Sequence, residues 1–172
     1  MSSKARTVNA DDPARRVNAN RSDLAVVCDS TSQRRPLQEH KGAYAAIDAE
    51  KTAIAQQFLD GLRRRDWSLL QSIMTDDVVW NLRGTSLISG EARGVDAVIT
   101  RAQRIVSYGL TFTLKDILIS QHDPSLSLHN PAQNGKQILD EHLATVCMLR
   151  NGRICAINTY LSDIEVVNAF FV

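Results

Sequence analysis

The sequence predicts an α+β domain in which three helices lie across one face of a strongly curved antiparallel or mixed sheet. Three observations carry that expectation. Apolar residues return at helical spacing in three separate segments before Tyr108, and beyond it they alternate with polar ones as strands do. The stretch DWSLLQSIMTDDVVW, Asp66 to Trp80, runs from an amphipathic helix through a polar corner directly into an aromatic-bearing strand. Helices and sheet each have one apolar surface, so the helices must collect on one face for both to be buried.

The elements follow in order. Tyr44, Ile47, Ile54, Phe58 and Leu62 recur near helical turns, which gives a long first helix beginning after Pro36 and fraying toward Arg63-Arg64-Arg65. Asp66 can accept hydrogen bonds from first-turn N–H groups and so caps a second helix, with Trp67, Leu70, Ile73 and Met74 as its apolar stripe. Asp76-Asp77 breaks that helix, and Val78-Val79-Trp80 favours an extended strand. Gly84, Gly90 and Gly94 mark a turning loop, after which Val95, Val98, Ile99, Ala102 and Ile105 restore helical spacing as far as Ser107. Leu110, Phe112 and Leu114 begin a half-buried strand that continues toward Ile119, and Asp123-Pro124 turns the chain. A shorter strand with Leu126 and Leu128 ends before Asn130-Pro131. Asn134-Gly135 and Asn151-Gly152 are hairpin signals bounding a long strand from Gln137 to Leu149, followed by a strand from Arg153 to Leu161. Ile164 to Phe170 closes the domain as a short helix or strand.

Composition narrows the function classes. A chain of 172 residues, 44% hydrophobic, fills one domain with one core. Residues 1–36 hold few large apolar groups beyond Leu24, Val26 and Val27, so they read as a flexible leader to a domain spanning 37–172. Lys plus Arg number 20 against 19 Asp plus Glu, which leaves no broad field for nucleic acid or an anionic membrane. No apolar run reaches the length of a bilayer span and no signal region is evident, so the default expectation is cytoplasmic. Cys28, Cys147 and Cys155 form no CxxC; the last two flank the Asn151-Gly152 turn, either facing each other across it or, more plainly, as buried thiols. No phosphate-cradling glycine loop or Ser-His-acid context occurs, so no nucleotide cofactor is expected.

From Tyr44 to Phe170 the chain resembles the cone-shaped α+β fold of nuclear transport factor 2-like proteins, in particular the SnoaL-like polyketide cyclase group. The matching segments are DGLRRRDWSLLQSIMTDDVVW, the glycines of GEARG, and the terminal hairpin NGRICAINTYLSD. The resemblance implies a cone-shaped barrel enclosing a pocket, and a homodimer formed through the outer surface of the sheet. It does not by itself imply an activity, because one fold hosts many. The positions matching the Tyr, Asp and second acid of ketosteroid isomerases of this fold look like Phe58, Leu82 and Ala144 or Thr145, none able to abstract a proton. The positions matching the Asp-Arg-Asp set of limonene-type epoxide hydrolases are approximately Ser127, Ser125 and Thr159, without a carboxylate or cation. Both activities are disfavoured.

Period two divides the long strand into one face with Glu141, Leu143, Thr145 and Cys147 and another with His142, Ala144, Val146 and Met148. By the resemblance the first face looks into the pocket together with Trp80, Leu82, Ile157 and Thr159; a one-residue slip would exchange Glu141 for His142. Glu141 is the foremost candidate for proton transfer, since enclosure beside Leu143 and Trp80 penalises its charge; the plainer reading is a rim salt bridge. His129 shares the parity of Ser125 and Ser127 and is a candidate for the cavity mouth, against a solvated loop histidine, and His142 is weighed against a structural role. Trp80 and Tyr108 offer flat contact to a polycyclic ligand, against ordinary packing. No metal centre is expected: in Asp140-Glu141-His142 adjacent strand residues point oppositely, and a Pro turn separates His122 and Asp123 from His129. Asp76-Asp77 reads as a capping or solvated corner, and Arg63-Arg64-Arg65 spreads around its helix. The expectation is a cofactor-independent isomerase, cyclase or dehydratase for a small apolar, polycyclic or polyketide-like molecule, with a noncatalytic ligand-binding or dimerisation module as the alternative.

Overall fold

The structure, a computed structural model, describes residues 34–172, with side chains from Gly42 onward. Its elements in chain order are α1 (Arg34–Arg64), α2 (Trp67–Ser72), β1 (Met74–Leu82), β2 (Gly90–Arg93), α3 (Val95–Ser107), β3 (Thr113–Ile119), β4 (Pro124–Asn134), β5 (Gln137–Arg150), β6 (Arg153–Leu161) and α4 (Ile164–Phe170). The expected flexible leader lies outside the described residues, save that Arg34 to Pro36 already belong to the first turn of α1, where a proline has no intrahelical N–H to lose.

The strands form one mixed sheet in the order β2-β1-β6-β5-β4-β3, with β1 and β6 parallel and the other neighbours antiparallel. This corrects the expected cone-shaped barrel built from a strongly curved sheet on three helices. Among the described residues the sheet is open, and four helices pack with it. Closure requires the two edge strands to pair. Here β2 is four residues long and runs through Gly94 into α3, which covers that side instead. α1 crosses β3 and β4, α2 touches α1, α3 and β1, and α4 lies against β5.

Local chemistry accounts for the boundaries. Asp66 caps α2 as expected, its Oδ1 accepting from Leu69 N at 2.9 Å. The helix ends earlier than its apolar stripe: Ile154 N donates to Ile73 O at 2.8 Å and draws Met74 into the parallel ladder. Asp76 and Asp77 consequently lie inside β1, exposed beside its register shift, where Arg150 donates to Asp77. β4 runs on through Asn130-Pro131, where a strand end was expected. Its ladder with β3 ends at His129: Thr111 N still donates to Pro131 O at 3.0 Å, but Pro131 has no N–H to return, so the pairing stops there. Asn151 and Gly152, with φ of 54° and 73°, make the tight reversal their sequence predicts.

The core lies between the helices and the inner sheet face. Ala55, Phe58, Leu59 and Leu62 form one stripe of α1 and Val98, Ile99, Ala102 and Ile105 one of α3, all buried. They meet Leu126, Leu139, Cys147 and Ile157 of the sheet, with Phe170 and Phe171 sealing the end. Tyr44 and Ile47, assigned to the first helix stripe, stay 65% and 47% exposed, because that end of α1 extends past the core. Its last anchor is Lys51, whose Nζ donates to the carbonyls of Ser120 and Gln121 at 2.9 Å each. Among the described residues Cys147 and Cys155 form no disulfide, and they do not face each other: Cys147 pairs with Ile157, and Cys155 falls at the β5–β6 register shift. No helix among the described residues is long and apolar enough to cross a membrane.

Candidate functional site

A narrow cavity of about 50 Å³ opens between the helices and the inner face of β1, β4, β5 and β6. Its wall is overwhelmingly apolar, with Phe58 and Leu62 from α1, Phe112 from the segment before β3, and Phe171 after α4. Polar groups enter only from the strands, because the strict alternation of β5 brings Leu139, Glu141, Leu143 and Thr145 to one face. Of the residues singled out in the sequence, Trp80, Leu82, Glu141, Leu143, Thr145 and Thr159 line this space. Ile157 is fully buried in the sheet and does not line it. Tyr108 stands apart, its ring 4.8 Å from that of Phe171 and its O–H donating to Val172 O at 2.7 Å.

Glu141 is 1% exposed. Its Oε1 accepts from Ser162 N at 2.6 Å, while Oε2 is buried with no partner among the described residues. Burial pushes this carboxyl above the usual carboxylate range, and the Ser162 hydrogen bond opposes the shift only in part. Directly across the β4–β5 pair is Asn130, buried, with its Oδ1 also unpartnered. Two unmet acceptors thus face one small cavity. The sequence held a signal for Asn130, which shares the parity of Leu126 and Leu128, and placing the strand end before it concealed that.

Deeper along the wall, Trp80 Nε1 donates to Thr159 Oγ1 at 3.0 Å, and the hydroxyls of Thr159 and Thr145 are 3.3 Å apart. Whichever hydroxyl donates to the other, one O–H is left over for a ligand oxygen. Trp80 is held from behind by Arg101, a buried residue of α3 that sequence reasoning missed. Its Nη1 donates to Trp80 O at 2.5 Å and its Nη2 to Ser89 O at 3.3 Å, with the guanidinium carbon 5.9 Å from the Trp80 ring centre. Burial lowers its proton affinity from the ordinary arginine value. Its sequence signal is position, since Arg101 occupies the same helical face as Val98 and Ile105.

His129 and His142 lie on the opposite face of the sheet from the cavity. They are direct partners in the β4–β5 register, their rings stacked at 4.3 Å and 8°. His129 Nε2 is 2.5 Å from Asp140 Oδ1, a contact that holds the Asp140 carboxyl below its usual range. The sequence could not assemble this trio without knowing which residues β4 and β5 pair.

A mixed sheet of this order, with helices over one face and an apolar cavity between them, is the nuclear transport factor 2-like fold, and solved structures bear this out. The chain superposes on Bal32a from a soil-derived mobile gene cassette with a TM-score of 0.69 at 19% identity, covering 73% of this chain and 98% of that one. An NTF2-like protein from Burkholderia xenovorans gives 0.64 at 15% identity, over 73% and 98%. A putative SnoaL-like polyketide cyclase from Jannaschia gives 0.61 at 11% identity, over 73% and 94%. No protein-family model matches the chain, and no curated protein resembles it significantly in sequence.

Proposed function

We propose that this chain is a cofactor-independent enzyme of the SnoaL-like, polyketide-cyclase kind that transfers a proton next to a carbonyl of a small apolar substrate, with isomerisation, cyclisation or dehydration as the outcome. The observation that carries this reading is Glu141 Oε2, a buried carboxylate oxygen without a partner at the wall of an apolar cavity. Such a group has a raised proton affinity and a free lone pair, as a general base near neutral pH requires. The leftover hydroxyl of the Thr145–Thr159 pair orients the carbonyl oxygen, and Trp80 and Leu143 supply flat apolar contact. A polycyclic or polyketide-like ligand needs several hundred Å³. The cavity of about 50 Å³ therefore has to widen on binding, by rotation of side chains such as Phe112. The outer sheet face, with Val146, Met148 and Tyr160, carries no helix among the described residues and is the surface on which a homodimer would form.

The test follows exchange of α-hydrogens for deuterium in D2O, across a panel of small cyclic ketones and β-diketones, by proton NMR. Wild type accelerates exchange in at least one compound, and Glu141→Gln slows it by about a hundredfold or more. Equal exchange in both proteins removes Glu141 from the chemistry. A noncatalytic binding cup is the second reading, favoured by Phe58, Leu82 and Ala144 or Thr145, which by the resemblance match the isomerases' proton-transfer positions and carry no carboxylate. Saturable binding with no exchange in any bound compound selects it.

A further inference from the structure

We infer that His129, Asp140 and His142 form a binding site for a divalent first-row transition ion, Zn²⁺ in the first instance, on the outer face of the sheet. The trio is a product of strand pairing. His129 of β4 stands directly opposite His142 of β5, and Asp140, two residues before His142, projects on the same face. One potential ligand atom from each residue lies within 4.8 Å of the other two.

The donor set selects the ion. Two imidazole nitrogens and one carboxylate oxygen suit zinc, iron(II), cobalt(II) or nickel(II), whereas calcium and magnesium take oxygen ligands almost exclusively. Tetrahedral bonds of about 2.0–2.1 Å place neighbouring ligand atoms roughly 3.3 Å apart. The 2.5 Å separation of His129 Nε2 and Asp140 Oδ1 is shorter, and an ion taking the place of their hydrogen-bond proton parts them by somewhat under about 1 Å. The side chain of Asp140 is 72% exposed and that of His129 24%, so both have room to adjust. The two imidazoles, stacked 4.3 Å apart and nearly parallel, must turn about their side-chain torsions for both ring nitrogens to point at one ion. The backbone beneath them does not move easily, since it belongs to the long β4–β5 ladder, paired from Ser125↔Val146 to Asn134↔Gln137. Three protein ligands leave further coordination positions facing solvent, open to water or an exogenous group.

The site is separate from the cavity, because Glu141 between two of its ligands points to the other side of the sheet. It stands or falls independently of the proton-transfer reading. The plain alternative is a cross-strand surface contact between a histidine and an acid.

The experiment uses the tag-free full chain, stripped with a chelator and held at one fixed pH of 7.5, since protons compete with a metal for its ligand atoms. Zn²⁺ binding is measured by calorimetry and Co²⁺ binding by visible absorption. The site predicts one equivalent per chain with a Co²⁺ ligand-field band. Affinity should fall by more than about tenfold in each of His129→Ala, His142→Ala and Asp140→Asn, since losing a ligand costs no less than losing a ligand's supporting contact. His122→Ala serves as the control and should bind as wild type does. Asp140→Asn changes a largely exposed side chain, and thermal melting without metal checks that each variant remains folded. The inference is overturned if folded Asp140→Asn and the two alanine variants bind as tightly as wild type, if His122→Ala loses as much as they do, or if wild type binds no ion.

Discussion

Replacing Glu141 by glutamine should make the protein more stable at alkaline pH and, on the proposed function, slow proton exchange by about a hundredfold or more. Glu141 Oε2 and Asn130 Oδ1 are both buried acceptors without a donor, on residues that face each other across β4 and β5. An unmet buried group costs about 1–3 kcal/mol. The amide nitrogen of glutamine turns one acceptor into a donor on the residue paired with Asn130, and the buried charge disappears. Against this, the Ser162 N–H to Glu141 bond at 2.6 Å loses its charge assistance, about 1 kcal/mol. The net gain is about 1–2 kcal/mol, or roughly 3–6 °C in Tm for a domain of this size.

The pH dependence fixes the sign. Because burial raises the folded-state proton affinity, the fold favours protonated Glu141. Wild-type stability is then greatest below the unfolded value of about 4.3, falls as pH rises through the folded value, and levels off above it. Glutamine has no such dependence. Thermal melts of both proteins at pH 5 and pH 8 should therefore show an advantage for Glu141→Gln that grows with pH. A variant that melts at or below wild type at pH 8, or whose advantage is the same at both values, refutes the assignment of Glu141 as an unpaired buried carboxyl. A gain in stability paired with loss of exchange is the pattern of a residue kept for function at the expense of the fold.

Two further changes probe how the frame around the cavity is held. Asp66→Ala removes the cap on α2, whose oxygen accepts from Leu69 N, and should cost about 1 kcal/mol by urea titration; no change would mean that tertiary packing alone holds the helix. Gly84→Ala places a methyl 2.5 Å from Asn168 Oδ1 at a φ of 124°, against an oxygen that accepts from both Thr85 N and Ser86 N. It should lower stability by about 2 kcal/mol or more, and a neutral outcome would show that this loop relaxes freely.

Much of the frame was legible because it rests on local rules. The cap at Asp66, the Asn151-Gly152 reversal and the alternation of β5 follow from backbone chemistry within a few residues. The misreadings share a different cause, in that each depends on a partner distant in sequence. Met74 leaves its helix because Ile154 claims the backbone beside it, and Asn130 remains in a strand because β5 continues to pair with it. Closure of the sheet depends on whether β2 and β3 meet, which no segment of sequence states. At the site, the inward face of β5 was readable from period two. Arg101 was not, since a buried cation bound to the carbonyls of Trp80 and Ser89 imitates a break in an apolar stripe.

The register of β5 decides both functional proposals at once, and it is strongly determined. Slipping the strand by one residue would send Leu139, Leu143 and Cys147 to the outer face, forfeiting about 1.5–3 kcal/mol for the buried Leu139 and less for the half-buried Leu143. It would also bring Asp140 and His142 into an apolar cavity, where an unpaired charge is costlier still. The leucine spacing therefore holds Glu141 inside, even though its own burial is unfavourable, and in the same stroke holds Asp140 and His142 outside beside His129. A polar group that the fold disfavours is carried inward by apolar neighbours two residues away on either side. That is why Glu141→Gln can raise stability without moving the strand, and why changing Asp140 should leave the carboxyl in the cavity where it is.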